Sequence, residues 1–197
     1  MTQTLSHFFA YVSRLRWIRR WGLMRNAIEE NVATHSWEVA TLAHALALIR
    51  NRYFGGNVNA DRIAAAALYH DAIEVITGDM PTPVKYHSRV MREACGDIEH
   101  KAEAELLSLL PEGLREDLSP YVQESCLPAQ DRELIKAADR LSAWLKCREE
   151  IRAGNREFEP AAQQIRERLE QDGIPEVGYF MEVFAPSYDR PLDNLLE

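Results

Sequence analysis

Apolar residues recur along most of this chain at intervals of three and four, the spacing that gathers them on one side of an α-helix. With residues placed at 100° steps, Val39, Leu42, Leu46 and Ile49 all fall within about 40° of His35. The pattern predicts helices over 5–20, 31–53, 60–77, 87–110, 129–153 and 156–172, with shorter pieces over 112–124 and 176–184. Turn-forming stretches punctuate them: FGGN after the second, GDMPTP after the third, LPEG after the fourth and AGN after the fifth. Period-two alternation is not sustained, and no Asn-Gly or Asp-Gly turn joins two β-rich runs, so the expected fold class is all-α. Without an internal repeat or low-complexity linker, residues 1–197 are expected to form a single helical domain with one core.

Three of these helices set ionisable groups against the apolar stripe. His35 points into the core. His70 shares a face with Ile63, Ala66 and Ala67, whose small side chains leave room for the ring, and Glu74 follows one turn later on the same face. Asp139 sits at the edge of the stripe formed by Ile135, Ala138, Ser142 and Leu145, where a carboxylate is partly desolvated and needs a partner. A lone histidine on an apolar face is commonly an ordinary hydrogen-bonded core residue. The His70-Asp71 dipeptide alone carries little weight, because chance gives about 0.3 such pairs at this composition. Three separate helices turning imidazole nitrogen or carboxylate oxygen inward are a stronger signal, since one divalent cation satisfies them together. His35, His70, Asp71 and Asp139 offer two nitrogens and two oxygens, a set suited to cobalt, manganese, iron, nickel, zinc or magnesium. Four ligands on a six-coordinate ion leave positions for water and a substrate oxygen, as a hydrolase requires. His7, His44, His87 and His100 lack comparable neighbours and read as surface or hydrogen-bonded residues.

Charge and composition narrow the partners. A net charge of −8 weighs against nucleic-acid polymers and anionic membranes. Its distribution is uneven: residues 1–28 carry Arg14, Arg16, Arg19, Arg20 and Arg25 and no acid, so an anion can dock there or the arginines can pair with the acidic remainder. No apolar run approaches the eighteen residues of a membrane span, and MTQTLSHFFAYVSRLRW is too interrupted for a secretory signal. Cys95, Cys126 and Cys147 are odd in number and widely spaced, which suits a reducing cytoplasm.

The H…HD…D arrangement resembles that of HD-domain metal-dependent phosphohydrolases. RRWGLMRN (19–26), ENVATHSWEVA (30–40), FGGNVNADRIA (54–64), YHDAIEVITGDMPTPVKY (69–86), KAADRLSAWLKCREE (136–150) and YFMEVFAPS (179–187) are similar to the bacterial 5'-deoxynucleotidase branch, in order and over nearly the whole chain. The resemblance implies an all-α HD-domain bundle, a cytoplasmic homodimer, and hydrolysis of deoxyribonucleoside 5'-monophosphates with one divalent metal ion such as cobalt or manganese. It implies metal ligation by His35, His70, Asp71 and Asp139, with His35, Asp71 and Asp139 also beside the substrate. Arg20 would orient the phosphate, Trp21 would pack near the sugar, Glu74 would handle protons, and Asp79, Met80, Pro81 and Thr82 would line the sugar side. Thr34 departs from the family pattern, which has Glu before the first histidine, so an outer contact to His35 is in question. Two other readings remain open: an HD phosphohydrolase acting on dNTPs or signalling nucleotides, and a non-catalytic nucleotide-sensing module that keeps its metal for stability.

Overall fold

The structure, a computed structural model, describes residues 5–196. The ends of the single-domain span, and the first residues of the segment read as no secretory signal, fall on 1–4 and 197 and lie outside the described residues. The chain divides into two compact units, each drawn from several stretches of sequence. No strand occurs among the described residues, in keeping with the all-α expectation.

The first unit comprises residues up to Arg25, Glu29–Trp37 and Ala65–Pro128. It contains α1 (Phe8–Val12), the first turns of α2 (Val32–Tyr53), the end of α3 (Ala60–Tyr69), α4 (Glu74–Thr77), α5 (Thr82–Lys85), α6 (Arg89–Ser108) and α7 (Glu112–Val122). Phe8, Ala72, Leu106, Leu107, Leu110 and Val122 form its buried cluster, with Tyr69, Val75 and Ile76 packed against it. Val75 and Ile76 therefore anchor α4, and with it Glu74, on a dry surface. α6 starts where Ser88 accepts a hydrogen bond from the Met91 amide at 3.1 Å, an N-cap that satisfies one of the helix's unpaired donors.

Two predicted helices are cut short here. The helix expected over 5–20 is α1 followed by a 3₁₀ turn, Ser13–Trp17, and then extended backbone at Ile18. Side chains compete with the helical ladder: Ser13 Oγ donates to the Ala10 carbonyl at 2.8 Å and Arg16 Nε to the Ser13 carbonyl at 2.9 Å. The helix expected over 60–77 ends at Tyr69. Through 70–76 the amides reach back three residues, as in Ala72 to Tyr69 (2.9 Å) and Glu74 to Asp71 (3.0 Å), before and within α4. His70 Nδ1 lies 2.8 Å from the Ala67 carbonyl, the acceptor a continuing α-helix would offer to the Asp71 amide. In the stretch read as punctuation, Pro81 caps the short α5, and the ring of Pro83 is tolerated in its first turn, where amides lack partners.

The second unit comprises Asn26–Ile28, Glu38–Ala64 and the chain from Ala129. It holds the rest of α2, the start of α3, α8 (Ala129–Arg152), α9 (Glu159–Asp172) and α10 (Pro175–Val183). α8 and α9 match the predicted 129–153 and 156–172 closely, with a 3₁₀ turn, Arg156–Phe158, leading into α9. α8 buries Leu134, Ile135, Ala138, Leu141, Trp144 and Leu145, and α9 packs along it. Gly173 closes α9 at φ 62°, the left-handed region that glycine occupies without a Cβ clash.

Several buried polar groups inside this unit are paired. Arg50 reaches Glu176 at 2.6 Å and Glu133 at 2.8 Å, and Arg62 reaches the buried Asp131 at 2.7 Å. Glu150, fully buried, accepts from the amides of Ala27 (2.8 Å) and Ile28 (3.0 Å), from Lys146 Nζ (2.5 Å) and from Asn155 Nδ2 (2.7 Å). Lys146 also donates to the Ile28 carbonyl. Among the described residues, no helix is long and apolar enough to cross a membrane.

Candidate functional site

The ionisable residues of the first unit converge. Asn31 begins the arrangement: its Oδ1 accepts from the Thr34 amide at 3.0 Å and the Thr34 hydroxyl at 3.2 Å, capping α2. With the helix start fixed, His35 projects inward and is fully buried, as the periodicity predicts. The tight turn after α3 presents His70 and Asp71 together. Asp71 Oδ2 lies 3.0 Å from His70 Nε2 and 3.6 Å from His35 Nε2, and the two rings are 5.3 Å apart between centroids. One donor atom from each of His35, His70 and Asp71 falls within 4.8 Å of the others.

These spacings lie close to those of ligands sharing one cation, the 3.0 Å pair within the range and the 3.6 Å pair slightly beyond it. Ligand atoms held about 2.1 Å from one ion, at angles between about 90° and 109°, stand roughly 3.0–3.4 Å apart. The donor chemistry, two imidazoles and a carboxylate, suits a borderline divalent ion. The 2.8 Å approach of His70 Nδ1 to the Ala67 carbonyl places its proton there and leaves Nε2 to face Asp71.

Charged groups surround this cluster. Arg20 Nε lies 3.3 Å from Glu30 Oε2, and its Nη1 lies 3.5 Å from Asp71 Oδ2. Trp21 Nε1 donates to Glu30 Oε2 at 2.8 Å. Burial opposes ionisation of Asp71, but His70, His35 and Arg20 together hold it well below the usual carboxylate range. Glu74 behaves oppositely: burial, then the carboxylates of Asp71 and Asp79, push it up to about 9. Its Oε2 is buried with no hydrogen-bond partner among the described residues. Burial also raises Asp79, against the pull of Arg20 and of a hydrogen bond from the Trp21 amide.

The structure thus gathers His35, His70, Asp71, Arg20, Trp21, Glu74 and Asp79 within the first unit. Met80 Sδ lies 3.3 Å from Cys95 Sγ, while Pro81 precedes α5 and Thr82 opens it. Asp139 lies half-buried on α8 in the second unit, matching the partial desolvation expected at the stripe's edge. His7, His87 and His100 are exposed, and His44 lies 3.5 Å from Asp61, as the sequence suggests.

At Thr34 there is no acid to face His35, and the carboxylate facing the ring's Nδ1 comes from another residue. Thr34 is exposed and bound to Asn31, whereas Glu30 Oε1 faces His35 Nδ1 at 3.7 Å. Sequence reasoning missed Glu30, which precedes α2 in a segment without helical periodicity. The signal available was an acid shortly before the N-cap of the helix that carries the first histidine.

Comparison with known proteins agrees with this geometry. The model of the 5'-deoxynucleotidase YfbR-like family matches residues 7–188. The chain is 50% identical over 190 residues to the 5'-deoxynucleotidase YfbR of Shigella boydii, covering 96% of each. Among solved structures, an HD-domain phosphohydrolase from Listeria innocua superposes with a TM-score of 0.80 at 24% identity, over 92% of this chain and 88% of the other. A cyanophage S-2L HD phosphohydrolase, bound to dA and one catalytic Zn²⁺ ion, gives 0.66 at 19% identity, over 95% and 98%. At such identities the two structures speak for the fold, while the family model and the half-identical relative span almost the whole chain. The helical fold, the clustered histidines and acid, and this near full-length similarity together make the chain a member of the YfbR-like 5'-deoxynucleotidase family.

Proposed function

We propose that this protein hydrolyses deoxyribonucleoside 5'-monophosphates to deoxynucleosides and phosphate, with one divalent cation such as cobalt or manganese. The observation that carries the reading is the convergence of His35, His70 and Asp71 beside Arg20, in a chain half identical to a 5'-deoxynucleotidase. His35, His70 and Asp71 would hold the cation; the H…HD…D pattern of the sequence names Asp139 as the expected fourth ligand. Bound there, the cation supplies Lewis acidity toward a phosphoryl oxygen and lowers the pKa of water.

The protein's own groups do the rest. Arg20 offers the phosphate a planar fork of donors as charge shifts toward the leaving oxygen. Its position between Glu30 and Asp71 orients that fork. Pushed up to about 9 by burial and by the neighbouring Asp71 and Asp79, Glu74 holds a proton near neutral pH and can give it to the departing 5'-oxygen. Where the Asp71 charge is offset, Glu74 falls back toward neutrality and can take a proton from the attacking water. Trp21 would pack near the sugar and Asp79, Met80, Pro81 and Thr82 would line its side, as the resemblance implies, with His35, Asp71 and Asp139 the remaining expected substrate neighbours.

The resemblance carries with it a cytoplasmic homodimer; light scattering of the purified protein reads the oligomeric state directly. Phosphate release from dAMP, AMP and dATP, measured with added Co²⁺, Mn²⁺ or Mg²⁺, tests the activity. Faster turnover of dAMP than of AMP, with dATP inert, is expected. Preference for dATP would favour a different HD hydrolysis, and cation binding without turnover would favour a sensing module.

A further inference from the structure

We infer that Glu30 is a positioning residue and that its single carboxylate sets the relative placement of Trp21, Arg20 and His35. Three contacts carry this. Oε2 accepts from Trp21 Nε1 at 2.8 Å and faces Arg20 Nε at 3.3 Å, while Oε1 faces His35 Nδ1 at 3.7 Å. The side chain is 9% exposed, so little water competes for these oxygens.

The backbone adds an independent observation. Trp21 is the one non-glycine residue with positive φ among the described residues, at 57°. The left-handed region disfavours a bulky side chain and persists where surrounding contacts over-determine it. Two acceptors do so here: Glu30 takes the indole N–H and Asp79 takes the backbone amide. The antiparallel bridge between Arg19 and Asn31, with the Arg20 amide bonded to the Glu30 carbonyl at 3.1 Å, holds the segments bearing Trp21 and Glu30 side by side. Glu30 thus links the orientation of the indole to that of the guanidinium and, through Oε1, to the Nδ1 edge of His35, whose Nε2 faces Asp71.

The inference rests on the proposed roles of Trp21 and Arg20, so its test includes readouts that do not depend on turnover. Glu30→Ala, Glu30→Gln and, as a neighbouring control, the exposed Glu29→Ala are prepared and checked for helical content by circular dichroism. The Trp21 indole N–H resonance is assigned with Trp21→Phe, and Mn²⁺ affinity is measured by calorimetry. Glu30→Ala is expected to move that resonance and raise its hydrogen exchange at least tenfold. It is also expected to weaken Mn²⁺ binding about 10–100-fold, the usual cost of losing an outer partner of a ligating histidine. The ratio of kcat/KM for dAMP over AMP should fall at least fivefold. Glu30→Gln, whose amide oxygen still accepts from the indole, should restore the resonance and most of that ratio while Mn²⁺ affinity stays weakened through the lost charge. Glu29→Ala should match the wild type throughout.

A folded Glu30→Ala with resonance, Mn²⁺ affinity and substrate ratio all within twofold of wild type would overturn the inference. If Glu30→Ala does not fold, wild-type Mn²⁺ affinity in Glu30→Gln overturns the role of the carboxylate charge. Failure of the functional reading looks different: the wild type would release no phosphate from dAMP, while resonance and affinity would still report on Glu30.

Discussion

Removal of the Glu150 carboxylate should destabilise the protein severely without touching the clustered histidines. Glu150 is fully buried and is the acceptor for two backbone amides, one lysine and one side-chain amide. Glu150→Ala strands the amides of Ala27 and Ile28 and leaves the Lys146 ammonium, itself 5% exposed, without its counter-charge. Breaking a buried ion pair by removing one partner costs about 3–5 kcal/mol. At about 2–4 °C per kcal/mol for a chain of this size, the melting temperature should fall by roughly 6–20 °C. The same contacts should make stability depend on pH. Burial would raise Glu150, but Lys146, the Ala27 and Ile28 amides and Asn155 hold it down from 4.5 to about 2. That drop corresponds to about 3 kcal/mol. Because the folded pKa is depressed, this stability is fully present above about pH 4.5 and is lost as pH falls toward 2. Urea unfolding of wild type and Glu150→Gln across pH 2–7 isolates it: the difference between them should be constant above pH 5 and shrink below. Replacing Lys146 and Glu150 together by Met should cost less than Glu150→Ala alone, since no buried charge is stranded. A Glu150→Ala penalty under about 1 kcal/mol, or a pH-independent difference, would rule out this role for the buried carboxylate.

Other outcomes test the site. His35→Ala and Asp71→Ala should each abolish Co²⁺ or Mn²⁺ retention and phosphate release, and full turnover by either cation-free variant would remove the proposed centre. Glu74→Gln should keep the cation but lose kcat by about 10²–10⁴-fold, the range for a positioned proton donor or acceptor, as read in steady-state assays with dAMP. Arg20→Ala should lower kcat/KM for dAMP about 10–100-fold, the worth of a charge-assisted hydrogen bond, while melting temperature moves only a few degrees.

Features that repeat locally are legible in the chain alone. The 3.6-residue period predicted α2, α6, α8 and α9, the inward direction of His35 and the partial desolvation of Asp139. The His70-Asp71 pair was visible as chemistry, and the resemblance gave it a family. How these groups meet depends on long-range folding. The break after Tyr69 follows from one ring nitrogen competing for the Ala67 carbonyl, which no count of apolar spacing registers. Glu30 lies in an aperiodic segment and gains its importance from side chains ten residues before it and five after it. The opposite tendencies of Asp71 and Glu74, two carboxylates three residues apart, arise from which charges surround each one and how much water is excluded. Periodicity reports which face of a helix is dry; the electrostatics of a site depends on contacts between distant segments, and those exist only once the chain has folded.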